Sequence, residues 1–298
     1  MSDAASNWIS LRSSALEVKV DPQGAQLSSL RDAQGREYLW HGDPAIWAGR
    51  APILFPIVGA LNDGQFRHGG RRYRLGRHGF ARGSLFALVN SSPTSAVFRR
   101  QSTADTLAVY PFPFRLDIEY QLEGHTLAIT ASVCNDGDER MPASLGFHPG
   151  FLWPLPDCQR AGHSIEFDDE EPAPIRRIDA QGLLLPEGLP TPIVGRRLIL
   201  DDALFREDVI ILDTFTSRRA RLCSEKGPSI EVGFPDARYL GLWTKPGAPF
   251  VCIEPWQGVT DPAGFAGDFA EKPGIFQVEP GATHSFGMTI GIRGQTVA

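Results

Sequence analysis

The feature that most constrains this chain is its punctuation. Short apolar runs recur along its whole length, and glycine, proline, asparagine or aspartate separates one from the next. Glycine (31) and proline (24) together make up about 18% of the 298 residues, against an average of about 12%. They are spread throughout, so they do not mark a disordered tail. Such spacing leaves no room for the helices of 10–15 residues that a parallel α/β sheet needs between its strands. It predicts an all-β fold. LEVKV (16–20), LFALV (85–89), AVFRR (96–100), RLDIEYQL (115–122), TLAITASV (126–133), VIIL (209–212), SIEVGF (229–234) and HSFGMTIGI (284–292) read as strands. RLDIEYQL, EGH and TLAITASV form the clearest hairpin. Leu116, Ile118, Tyr120 and Leu122 alternate there with Asp117, Glu119 and Gln121, the period of two of a half-buried strand.

Helical patterns are scarce. DPAIWAGR (43–50) and DPAGFAGDF (261–269) each place aspartate before proline, an N-cap followed by a favourable first helical position, and each predicts a helix of one or two turns. Residues 170–196 are proline-rich and read as a loop inserted across one surface. With no internal repeat, low-complexity segment or linker, the expected organisation is a single domain over 1–298, its core spanning about 15–292. The expected architecture is a large antiparallel β-sandwich.

Charge and hydropathy exclude several function classes. The net charge is −6 and the 29 basic residues form no sustained run, so an electrostatic footprint for nucleic acid is missing. The longest apolar stretch, APILFPIVGAL (51–61), is broken by two prolines and a glycine and falls short of the ~20 residues that span a bilayer. MSDAASNWISLRSSALEVKV has no basic segment followed by an apolar one, so a cytoplasmic, soluble protein is expected. Cys134, Cys158, Cys223 and Cys252 have no metal-ligand spacing and read as reduced thiols in or near the core.

Three stretches set ionisable residues among glycine, proline and aromatics. The first runs from GRAPILFPIVGALNDGQF (49–66) to LGRHGFARGSLF (75–86), with His78 amid Arg50, Arg77 and Arg82. An arginine fork suits vicinal hydroxyls, carboxylates or phosphates. The second is SLGFHPGFLWP (144–154), where His148 lies between Gly146 and Gly150 with Phe151 and Trp153 beyond. The third is WTKPGAPFVCIEPWQGVTDP (243–262), where the apolar run Phe250–Ile253 reads as a strand ending in Glu254, Pro255 and Trp256. A structural role is the plain alternative for each of these groups. Burying a carboxylate there is costly without a partner. The inventory holds no metal-ligand cluster, no Ser-His-Asp pattern, no phosphate-cradling glycine loop and no G-x-G-x-x-G. It fits general acid–base chemistry on a polyhydroxylated ligand, with no cofactor.

PILFPIVG (52–59), HGFAR (78–82), GFHPGF (146–151), WTKPGAPF (243–250) and CIEPW (252–256) together resemble segments of the aldose 1-epimerases, in particular the bacterial galactose mutarotase-like branch. The likeness runs in family order over nearly the whole chain. It implies a supersandwich of two large antiparallel sheets, an open cleft on one of them, and interconversion of the α and β anomers of a free aldohexose. It implies His148 as general acid and Glu254 as general base, with Arg50, His78, Arg82 and Asp208 contacting the sugar. Trp256, Trp153 and Phe80 are candidates to stack on it. No metal or other cofactor is expected, and the partner is a small sugar or sugar phosphate bound by a monomer or homodimer. One departure is Ala60, where relatives often carry a polar residue, which weakens inference about the preferred sugar. Three competing readings remain. One is a hexose-6-phosphate 1-epimerase, with Arg50 and Arg82 facing the phosphate. Another is a non-catalytic carbohydrate-binding protein of the same fold. The third is a metalloenzyme using His78, His148 and Glu254.

Overall fold

The structure, a computed structural model, describes residues 7–294. The clean alternation of the hairpin becomes the centre of a nine-stranded antiparallel sheet. Strands Phe114–Glu123 and Thr126–Asn135 pair in register from Glu123↔Thr126 to Phe114↔Asn135. Leu116, Ile118 and Tyr120 are fully buried on one face. Across the sheet the order is Arg197–Ile199, His163–Phe167, Arg219–Ser224, Ser229–Gly233, Thr283–Arg293, the two hairpin strands, Ser95–Gln101 and Ala87–Ser91. LFALV therefore contributes a strand two residues further on, at the sheet edge, with Leu85 65% exposed. Strands His163–Phe167, Arg219–Ser224 and Tyr239–Trp243 carry weaker patterns that the sequence reading did not single out.

A second sheet of six strands covers the buried face of the first. It runs Ile210–Leu212, Tyr239–Trp243, Phe250–Gln257, Leu145–Phe147 and Ile53–Leu54, with Gly150–Leu152 also paired to Phe250–Gln257. Every pairing is antiparallel. Leu240, Leu242, Val251 and Ile253 join Leu116, Ile118 and Ile129 in one apolar core. Phe147 stacks on Phe286 of the nine-stranded sheet with ring centroids 5.2 Å apart. This is the expected large antiparallel all-β sandwich. No helix among the described residues is long and apolar enough to cross a membrane.

Both Asp-Pro helices are corrected. Asp43 accepts from the Ala45 amide and its carbonyl from Ile46 and Trp47, but the chain makes only a turn there. In the second stretch the short helix is Phe269–Glu271, capped by Asp268. Asp261 is engaged elsewhere: its carboxylate lies 2.8 Å from the Lys272 ammonium, both groups almost fully buried. The same carboxylate accepts from the Asn62 amide and side chain, and Lys272 Nζ donates to the Val259 carbonyl. A charge removed from water must find such partners. The α-helix that does form, Ala104–Val109, starts at a capping box made by Thr103 and Thr106.

The 170–196 segment contains no strand or helix, as expected of a loop. It is tied to the Asp261 region, with the Leu184 amide donating to the Asp261 carbonyl. Segments 59–62, 182–184 and 259–262 are thus held together around one buried ion pair. Lys272→Met should cost about 3–5 kcal/mol by leaving Asp261 buried and unpaired. Asp261→Asn combined with Lys272→Met should recover much of that loss. Urea denaturation of the three proteins checks this, and a Lys272→Met midpoint equal to wild type would contradict it.

Candidate active site

Successive side chains of a strand face opposite ways. In Phe250–Gln257, Val251 and Ile253 enter the inter-sheet core, so Phe250, Cys252, Glu254 and Trp256 occupy the other face. Glu254 does not lie at the end of this strand, where the sequence reading put it. Pairing continues to Gln257, and Glu254 lies mid-strand, 1% exposed.

Two short strands flank Glu254 from the same side. Leu145 and Gly146 pair with Gln257 and Trp256, and Gly150, Phe151 and Leu152 pair with Cys252, Val251 and Phe250. The two registers are in step, so the residue opposite Glu254 is His148. At the gap between the strands the His148 and Gly150 amides turn away, donating to the Pro52 and Arg50 carbonyls at 3.1 and 2.8 Å. Directly opposed antiparallel residues bring their side chains together. His148 Nε2 lies 3.2 Å from Glu254 Oε2, with side-chain exposures of 10% and 2%.

The glycines around this pair make room for aromatic walls. A Cβ at Gly146 would stand 2.8 Å from Trp256, one at Gly241 2.4 Å from the same indole, and one at Gly150 2.8 Å from Trp47. Trp47 stacks on the His148 imidazole at 5.0 Å between centroids, and Trp243 meets it edge-on at 5.6 Å. The result is a cleft of roughly 240 Å³, walled by Trp47, Trp243, Trp256 and Ile178. That is smaller than the ~300–1,000 Å³ of pockets for drug-sized ligands.

His78 adopts left-handed backbone, φ +65°. Its Nδ1 accepts from the Gly59 amide at 3.1 Å, which leaves Nε2 to carry the proton in the neutral ring. Burial, followed by the proximity of His148 and Arg82, holds its pKa well below 6.5. His78 is therefore a fixed hydrogen-bond donor at the cleft, its ring centroid 5.7 Å from that of His148.

Burial also dominates the central pair. It draws His148 down to about 3, with Arg82 and Arg77 adding to the effect. It pushes Glu254 well above 4.5, and Asp208 pushes it further. Burial thus disfavours the charged form of both groups, which favours an imidazole without charge beside a carboxyl without charge, the reverse of the starting distribution that the resemblance implies.

Of the residues singled out in the sequence, His78, Arg82, His148, Asp208, Glu254 and Trp256 all line the cleft. Arg50 does not: its Nε donates to the His41 carbonyl at 2.6 Å, and its guanidinium lies over Trp8. Trp153, buried beneath the Arg160 guanidinium, and Phe80, packed on Phe55 and Phe114, are also outside the cleft-lining set. Cleft residues not assigned from the sequence include Trp47, Arg77, Trp243, Lys245 and Thr260. Trp243 and Lys245 sit in a quoted motif, whereas Trp47 was read as part of a helix. The metal set named as an alternative does not form around His78. The donor atoms that cluster are those of His148, Cys252 and Glu254, all within 4.8 Å of one another.

The sequence model of the family described as aldose 1-epimerase matches residues 8–276. The chain belongs to the aldose 1-epimerase family. It is 35% identical over 283 residues to the chromosomal protein LacX of Lactococcus lactis, covering 91% of this chain and 95% of that one. A galactose mutarotase related enzyme from Lactobacillus acidophilus superposes with a TM-score of 0.90 at 28% identity, over 97% of this chain and 98% of its own. A galactose mutarotase-like protein from Lactobacillus casei gives the same TM-score at 29% identity, over 96% and 100%. In this aldose 1-epimerase family member, each of the five quoted motifs supplies at least one residue to the cleft.

A carboxyl whose folded pKa exceeds its unfolded value stabilises most below the unfolded value, and that contribution fades as pH rises through the folded one. Glu254→Gln should therefore match wild-type stability below about pH 4.5 and exceed it increasingly toward neutrality, raising Tm there by a few degrees, at about 2–4 °C per kcal/mol. Thermal melts of both proteins across that range check this. Parallel curves would contradict the elevated carboxyl.

Proposed function

We propose that the protein interconverts the α and β anomers of a free aldohexose. The approach of His148 Nε2 to Glu254 Oε2 at 3.2 Å, at the foot of a small aromatic-walled cleft, carries this reading. Opening a cyclic hemiacetal removes a proton from the C1 hydroxyl and adds one to the ring oxygen. Both oxygens are bonded to the same carbon, so the acid and the base must stand close together. A carboxyl and an imidazole facing each other across one strand pair meet that demand.

A pair holding one proton has one donor and one acceptor whichever side the proton occupies. When the C1 hydroxyl donates to Glu254 it favours the carboxylate, and the proton passes to His148. Glu254 then takes the hydroxyl proton while His148 protonates the ring oxygen. Rotation about C1–C2 presents the other face of the carbonyl, and the same steps in reverse close the ring. Each proton transfer contributes roughly 10²–10⁴-fold, and fixed placement of both groups adds to this. His78 Nε2–H, the Arg82 guanidinium and Asp208 offer hydrogen bonds to the remaining hydroxyls, and the indoles cover the apolar ring face.

His148→Asn and Glu254→Gln should each lower kcat by about 10²–10⁴-fold with little change in sugar affinity, as measured by polarimetry and calorimetry. Wild-type rates in Glu254→Gln would remove Glu254 as the base. Calorimetric binding without anomer exchange in wild type would favour a non-catalytic sugar binder. The presence of both members of an acid–base pair favours the enzyme.

A second reading rests on cleft charge. Arg77, Arg82 and Lys245 all line the cleft, and none has a carboxylate within ion-pair distance among the described residues. That supports a hexose 6-phosphate as substrate, with these cations, not Arg50, taking the phosphate. Comparing kcat/KM for glucose and glucose 6-phosphate separates the readings. A preference for the phosphate ester that Arg82→Gln abolishes would favour the second.

A further inference from the structure

The geometry points to a second ligand for the same pocket: His148, Glu254 and Cys252 form a zinc-type divalent-cation site whose occupation shuts off the acid–base pair. Its three donor types, imidazole nitrogen, carboxylate oxygen and thiolate sulfur, are those zinc takes. Their placement follows from the sheet. Cys252 and Glu254 project from the same face of one strand, two residues apart, and His148 stands opposite Glu254. The residue opposite Cys252 is Gly150. A Cβ there would lie 3.5 Å from the sulfur, an ordinary contact, so position 150 borders the thiol without crowding it.

The distances suit a small ion. Zinc bonds of about 2.0 Å to nitrogen and oxygen, arranged tetrahedrally, separate those two atoms by roughly 3.3 Å. The observed His148–Glu254 separation is 3.2 Å. The Cys252 sulfur lies within 4.8 Å of both, and a side-chain adjustment of about 1 Å brings it to bonding distance. Three protein ligands leave the fourth position facing the cleft. The ligands bind as imidazole, carboxylate and thiolate, so any protons they carry in those positions leave as the cation enters and no redox change occurs. Magnesium and calcium, which require six or more oxygen ligands, find one carboxylate here and are excluded. A sugar cannot contact the pair while the ion holds it, so cation and sugar compete.

The cation-binding claim does not depend on the proposed reaction; only the inhibition does. Two measurements therefore run side by side on the full chain. In the first, ZnCl₂ at micromolar concentration inhibits anomer exchange competitively with sugar, EDTA restores the rate, and MgCl₂ has no effect. Cys252→Ala keeps the basal rate but needs at least about tenfold more zinc for the same inhibition. In the second, CoCl₂ gives visible bands of a tetrahedral site together with a near-ultraviolet thiolate-to-cobalt band, which Cys252→Ala loses. Cys252→Ser provides the same comparison if the alanine variant does not fold. No thiolate band in wild type, or equal zinc sensitivity in wild type and the Cys252 variants, would overturn the proposal. A wild type that shows the thiolate band but no anomer exchange would uphold the cation site and count against the reaction alone.

Discussion

The site depends on one strand register. His148 and Glu254 are 106 positions apart in sequence, yet they face each other because the strands before and after His148 pair with Phe250–Gln257 in the same step. A slip of one residue would turn every side chain of either partner to the opposite face, sending Glu254 into the inter-sheet core and Ile253 into the cleft. The apolar alternation that builds the core therefore also fixes the chemistry. Val251 and Ile253, buried between the sheets, hold Cys252, Glu254 and Trp256 on the other side.

This arrangement places two ionisable groups where water is scarce. Neither has a full counter-charge, so burial disfavours the charged form of both. Indoles packed on glycines surround them, burial holds the His78 pKa low, and the Gly59 amide fixes its tautomer. The contrast is the Asp261–Lys272 pair, equally buried but directly paired and hydrogen-bonded to its surroundings. One ion pair organises the loops around the cleft, and the incompletely satisfied pair is the one that the proposed reaction uses. Such a pair is retained at the expense of stability.

The sheet framework was legible because its strands alternate cleanly, as in Leu116, Ile118 and Tyr120. Loop ends and partner choices were less so. Asp261 looks like a helix cap because nothing in its neighbourhood reveals that Lys272 will take its carboxylate. Glu254 looks like a strand end because the apolar run Phe250–Ile253 stops before it, whereas pairing continues to Gln257. Arg50 and Arg77 both lie near cleft motifs, and only the fold decides that the former turns to His41 and Trp8 and the latter to the cleft. The residue types of the pair could be read from the sequence. Their direct opposition could not, because a register between distant segments leaves no local pattern.

The central claim is that this buried pair carries one proton, resting on the carboxyl until a sugar hydroxyl draws it across. Infrared difference spectra between wild type and Glu254→Gln at neutral pH read that proton directly. The account predicts a protonated-carboxyl stretch in the free protein that gives way to carboxylate on saturation with sugar. A carboxylate signal from Glu254 in the free protein, unchanged by sugar, would contradict it.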